Sequence, residues 1–135
     1  MTTISAQLEE LRSKYGDSAH FVLVYVPDPH PLAPDISPYS GATWELEYSK
    51  YRQARDFSER VEDANRVSTN DVFDEVLVDY LDPKNGTGDN PTWCSWGPAP
   101  NPGWVLSQQS VLVGQPWFDG GGIEKCLEGR SPCDK

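Results

Sequence analysis

His30 stands between Pro29 and Pro31, two residues after Asp28. Proline fixes its own φ and restricts the residue before it, so the histidine backbone has little room to move. An imidazole held in this way suits general acid–base work near neutral pH, with Asp28 placed to orient it. Trp44, Glu45, Glu47 and Tyr48 follow and offer an aromatic wall, two carboxylates and a phenol as further acid–base or binding groups. A second cluster, Thr92-Trp93-Cys94-Ser95-Trp96, brings two more indoles and a thiol. The chain holds five tryptophans, and aromatic walls around a few polar groups are the usual make-up of a small-molecule pocket, here Trp44, Trp93 and Trp96. The plainer alternative is that Trp93, Trp104 and Trp117 close a small core and His30 is an ordinary loop histidine.

Other chemistry is poorly supplied. Cys94 has no basic neighbour in sequence to activate it as a nucleophile. Cys94, Cys126 and Cys133 contain no C-x-x-C pair and no zinc-ligand spacing, which points to three ordinary thiols. A Cys126–Cys133 bridge would need a more oxidising compartment than the cytosol, where the N-terminal residues, with no basic start and no apolar run, place the chain. Ser95 lacks a G-x-S-x-G setting. Gly120, Gly121 and Gly122 are expected to form a plain turn. A net charge of −10 repels phosphate backbones and argues against nucleic acid as a partner. No apolar run reaches the length of a membrane span, and no cofactor motif or metal site is visible.

The elements that must position these groups belong to one α/β domain covering residues 1–135. Ile4, Leu8, Leu11 and Tyr15 recur at helical spacing, with Thr2 or Thr3 as cap and Gly16 at the end. Residues 21–26 are apolar throughout, which predicts a strand buried on both faces of a parallel sheet. A loop with prolines at 27, 29, 31, 34 and 38 follows, too long to be idle. A second helix covers some part of residues 44–67. It is best marked from Asp56, where Asp56-x-x-Glu59 forms a capping box and Phe57, Val61 and Ala64 share a face; Tyr48, Tyr51 and Ala54 would extend it upstream. A strand near 75–80, a long loop over 81–103, a hairpin of 104–107 with 111–114, and a last helix over 123–128 complete the order. The two long loops leave the carboxyl ends of the two apolar strands, the edge where open α/β sheets bind ligands.

Taken together, several segments resemble the iodothyronine deiodinases. Residues 21–31, FVLVYVPDPHP, are similar to that family's apolar strand and histidine loop. Glu59-Arg60-Val61 looks like its Glu-Asp-Arg-Val helix, and Val76-Leu77-Val78-Asp79 like its next strand. Ser95-Trp96-Gly97-Pro98-Ala99-Pro100 is similar to its Tyr-Gly-Ala-x-Pro stretch, and residues 104–114 to its terminal hairpin. The likeness spans residues 7–129 and implies a thioredoxin-like mixed sheet with flanking helices. It adds Arg60 to the candidate site beside His30. The family's selenocysteine or cysteine follows a strand ahead of the first helix, whereas this sequence opens on that helix. The family's Glu-Arg pair after the Tyr-Gly-Ala-x-Pro stretch is replaced by Asn101-Pro102. The resemblance therefore implies a redox-inactive relative, truncated by a central strand and expected to cover the exposed edge as a homodimer.

On these grounds the expected activity is cofactor-independent isomerisation or cyclisation of a small aromatic or polyunsaturated molecule, with His30 as acid or base and Asp28 orienting it. Two alternatives stand beside it. One is a thiol-dependent reductase or dehalogenase using Cys94; the other is a non-catalytic binding or assembly module.

Overall fold

The structure, a computed structural model, describes residues 3–45, 50–67, 71–81, 90–96, 101–115 and 117–129. Its element order is α1 (Ile4–Tyr15), β1 (Val22–Tyr25), α2 (Phe57–Val67), β2 (Glu75–Val78), α3 (Pro91–Trp96), β3 (Gly103–Leu106), β4 (Val111–Gln115) and α4 (Gly120–Leu127). This is a mixed α/β chain with one small parallel and one small antiparallel sheet. The chain divides into two compact units, Met1–Phe21 with Asn101–Lys135, and Val22–Pro100.

In the first unit, α1 starts where Thr3 Oγ1 accepts the Ala6 amide, and Arg12 and Lys14 in its last turn complement the helix dipole. Of its apolar stripe only Leu11 is fully buried, while Ile4 is exposed. The helix packs on α4. Gln7 Oε1 accepts the Gly120 amide at 2.9 Å, and Lys14 reaches Glu124 at 2.9 Å. A Cβ at residue 120 would come within 2.8 Å of Gln7 Oε1, so a side chain there would push the glutamine aside.

Gly120, Gly121 and Gly122 were expected to turn; instead they form the first turn of α4, because Asp119 accepts the Gly121 amide and caps them. β3 and β4 form the expected hairpin. Its Gln108-Gln109 turn lacks the usual turn residues, and Ser107 supplies the missing chemistry. The Ser107 hydroxyl accepts the amides of Gln109 and Ser110 at 3.2 and 3.1 Å. Among the described residues β3 and β4 pair with each other and pack on α4, while β1 and β2 form a second, parallel pair.

In the second unit, β1 and β2 run parallel with Val22 opposite Glu75 and Tyr25 opposite Val78. Leu23, Tyr25, Val76 and Val78 share one half-buried face. Val22 and Leu77, on the other, are 40% and 45% exposed, so burial on both faces does not hold for a sheet this small. The crossover helix α2 packs on β2 and begins where Asp56 accepts the Glu59 amide. Glu59 turns back to the Arg55 amide and guanidinium rather than to Asp56, a variant of the expected box.

The helix occupies the part of 44–67 best marked from Asp56; Tyr51 and Ala54 do not extend it, and the Tyr51 carbonyl instead accepts the Leu32 amide of the proline-rich loop. Its buried residues are Arg60 and Ala64, while Phe57 is exposed and leans on Tyr80.

The segment 81–103 is not all loop, since α3 carries Pro91 to Trp96. Proline suits a first helical position, and the amides of Thr92 and Trp93 both donate to the Asp79 carboxylate, at 2.9 and 3.0 Å. Asp79 is 2% exposed. It therefore anchors α3 to the carboxyl end of β2. Asp79→Ala should cost about 2–4 kcal/mol in urea unfolding, because one buried and one part-buried amide lose their acceptor and Arg60 its neighbouring charge. Asp79→Asn, which keeps an acceptor oxygen, should cost less.

Candidate functional site

Every site residue marked in the sequence falls between positions 28 and 96, within the Val22–Pro100 unit. Those among the described residues form two groups near the carboxyl ends of β1 and β2.

The first group is carried by the proline-rich loop, which is ordered by its own polar contacts. Asp28 Oδ1 accepts the His30 amide at 2.7 Å, so this carboxylate holds the histidine backbone rather than its ring. The imidazole instead stands edge-on to Trp44, with ring centroids 4.4 Å apart and an interplanar angle of 80°. Trp44 is kept there by its backbone. Its carbonyl accepts the Ala33 amide at 2.8 Å, and it bridges Leu32 in parallel register.

On the other side, the Leu32 amide donates to the Tyr51 carbonyl at 2.7 Å. Ser37, 1% exposed, donates its hydroxyl to the Pro29 carbonyl and accepts the amides of Tyr39 and Ser40. Gly41, at φ 70°, closes that turn in a conformation suited to glycine. Glu45 is exposed beside Trp44, whereas Glu47 and Tyr48 lie outside the described residues.

The second group surrounds the end of β2. Arg60 is 1% exposed, and its Nη1 donates to the carbonyls of Asp79 and Tyr80 and to Asn90 Oδ1, the last at 2.6 Å. Burial holds its guanidinium below the usual arginine range, partly offset by Asp79 and Tyr25. An arginine so enclosed ties backbone together and has little surface left for a ligand. Trp93 is 8% exposed and belongs to the core; Trp96 is 41% exposed. Cys94 is an exposed free thiol on α3. Cys126 is disulfide-bonded, which corrects the expectation of three ordinary thiols; Cys133 lies outside the described residues. Disulfides belong with oxidising compartments, so the cysteines lend no support to a cytosolic location.

Tyr25 lies between the two groups. Burial raises its phenol above the ordinary tyrosine value, Asp28 raises it further, and Arg60 and Arg66 lower it. At neutral pH it is therefore a protonated hydroxyl. The apolar run 21–26 conceals this residue, because a tyrosine there reads as strand filling.

A groove of about 420 Å³ opens beside the loop, between residues 51–55 and the polar side of α2. The tryptophans named from the sequence do not line it. Its arginines are matched by carboxylates: Arg52 with Asp35, Arg55 with Glu59, and Arg66 with Asp63. Arg66 also covers the Tyr51 ring at 4.9 Å. The Arg52–Asp35 pair is a two-point contact, at 2.6 and 2.7 Å, and Asp35 also accepts the Gln53 amide.

Among the described residues no cluster of three or more His, Cys, Asp or Glu could hold a metal ion, and no helix is long and apolar enough to cross a membrane. Compared with protein-family models, curated proteins and solved structures, the chain matches none.

The Asp35 contact makes the loop sensitive to acid. Its carboxyl is held below the ordinary range chiefly by the Arg52 hydrogen bond, with the Gln53 amide adding to the effect. A depressed folded-state value stabilises the protein above the unfolded value, near pH 4, and that contribution fades as pH falls through the folded value. Thermal unfolding followed from pH 7 to pH 2 should show stability dropping below about pH 4. Asp35→Asn should be less stable at pH 7 and show a flatter acid limb.

Proposed function

We propose that this chain is a deiodinase-like protein of thioredoxin-like descent that works as a cofactor-independent small-molecule enzyme. His30 gives or takes a proton while an aromatic or polyunsaturated substrate is isomerised or cyclised. The observation that carries this reading is the setting of His30. Its ring lies against Trp44, and its backbone is locked by Asp28 where the chain leaves the carboxyl end of β1. An imidazole at a strand end against an aromatic face can orient a flat substrate and move a proton without further chemistry.

The thiol reading rests on Cys94 being free and exposed. The two differ in the mass of the product. Isomerisation or cyclisation leaves it unchanged, whereas reductive dehalogenation replaces halogen by hydrogen.

The test is turnover of a panel of small phenols, halogenated phenols and polyenes in the presence of a thiol reductant, followed by absorbance and mass spectrometry. His30→Ala should lower the rate by about 10²–10⁴ with the circular dichroism spectrum unchanged, and Cys94→Ser should leave it intact. Full activity in His30→Ala, or its loss in Cys94→Ser with a lighter, dehalogenated product, would overturn the proposal.

A further inference from the structure

We propose that Gln53 is the positioning residue of His30, a role that rests on the reading of His30 as the working group. Pro27, Pro29 and Pro31 carry no backbone N–H, so the segment 27–31 has only the amides of Asp28 and His30 as backbone donors. A sheet ladder cannot hold such a segment, and side chains must. The Gln53 amide does so at two points. Its Oε1 accepts the Asp28 N–H at 2.9 Å, and its Nε2 donates to the Asp28 carbonyl at 2.9 Å.

Asp28, fixed at both backbone groups, then presents its carboxylate to the His30 amide at 2.7 Å. Gln53 is itself placed by Asp35, which accepts its amide and takes the two-point contact from Arg52. The line therefore runs from Arg52 and Asp35 through Gln53 and Asp28 to His30, and ends at Trp44.

The chemistry selects glutamine. Its side chain offers one donor and one acceptor at the end of two methylenes. Ionised glutamate keeps the acceptor but loses the donor, and asparagine is one methylene shorter. Arginine and lysine have no acceptor. Apart from glutamine itself, no side chain of this length makes both contacts in its usual charge state at neutral pH.

The test uses the full-length chain, isotopically labelled, and nuclear magnetic resonance. In the wild type, the Asp28 amide should exchange with solvent roughly tenfold or more slowly than an unstructured amide. Exchange at the unstructured rate would overturn the proposal before any variant is made. In Gln53→Met, which keeps length but makes neither contact, the His30 ring protons should lose the displacement caused by the Trp44 ring current. Resonances of β1, β2 and α2 should stay in place. Gln53→Glu at neutral pH, which loses only the donor, should show a smaller change in the same direction.

A merely structural glutamine would lower the melting temperature and leave the His30 resonances unmoved, and that result would also overturn the proposal. Should His30 move while turnover holds, positioning by Gln53 stands and the acid–base reading falls. Unmoved resonances together with lost turnover in His30→Ala would have the reverse meaning.

Discussion

A two-stranded parallel sheet cannot bury itself, and in the Val22–Pro100 unit a buried polar junction at the end of β2 makes up the difference. Arg60, from the crossover helix, donates to the carbonyls of Asp79 and Tyr80 and to Asn90. The Asp79 carboxylate takes the first free amides of α3. One charged residue from α2 and one just past the end of β2 thus hold three elements together where the hydrogen-bonded ladder stops. A buried charge is costly unless its partners satisfy it, so this junction tolerates little change. It also decides which side chains are available for function, since Trp93 is drawn into the core and Trp96 and Cys94 are left outside.

The proline-rich loop answers the same problem at the end of β1 by other means. Its prolines lower the entropy of the unfolded segment and remove donors, so regular pairing is lost and stiffness is gained. What remains is a set of side-chain contacts centred on Asp28, Asp35, Ser37 and Gln53. The result is an irregular segment held by side-chain contacts, with an imidazole that stands edge-on to Trp44. General acid–base chemistry needs a group held in place, and this loop holds one.

Local signals in the sequence carried over well. The cap at Thr3, the cap at Asp56 and the hairpin of β3 with β4 each depend on residues a few positions apart, and each formed. Long-range contacts did not show. α3 was hidden because its cap, Asp79, lies 12 residues before its first residue, and Pro91 in a Gly- and Asn-rich stretch looks like loop. Arg60 looked like a ligand group, and nothing in a helical pattern marks a buried arginine.

Gln53 was invisible for the same reason as α3, because its partner is 25 residues away and glutamine has no conspicuous chemistry alone. His30 and Trp44 were both marked from the sequence as pocket groups. Their contact with each other was not, nor was the part Asp28 plays through the backbone instead of the ring.

The central claim is that this loop presents the His30 imidazole against Trp44 as a fixed arrangement, and nuclear Overhauser effects test it most directly. In the unmodified chain at neutral pH, the imidazole ring protons should show strong effects to the indole protons of Trp44, as an edge-on contact at 4.4 Å requires. Imidazole resonances at free-histidine positions, with no effect to any indole, would contradict the account.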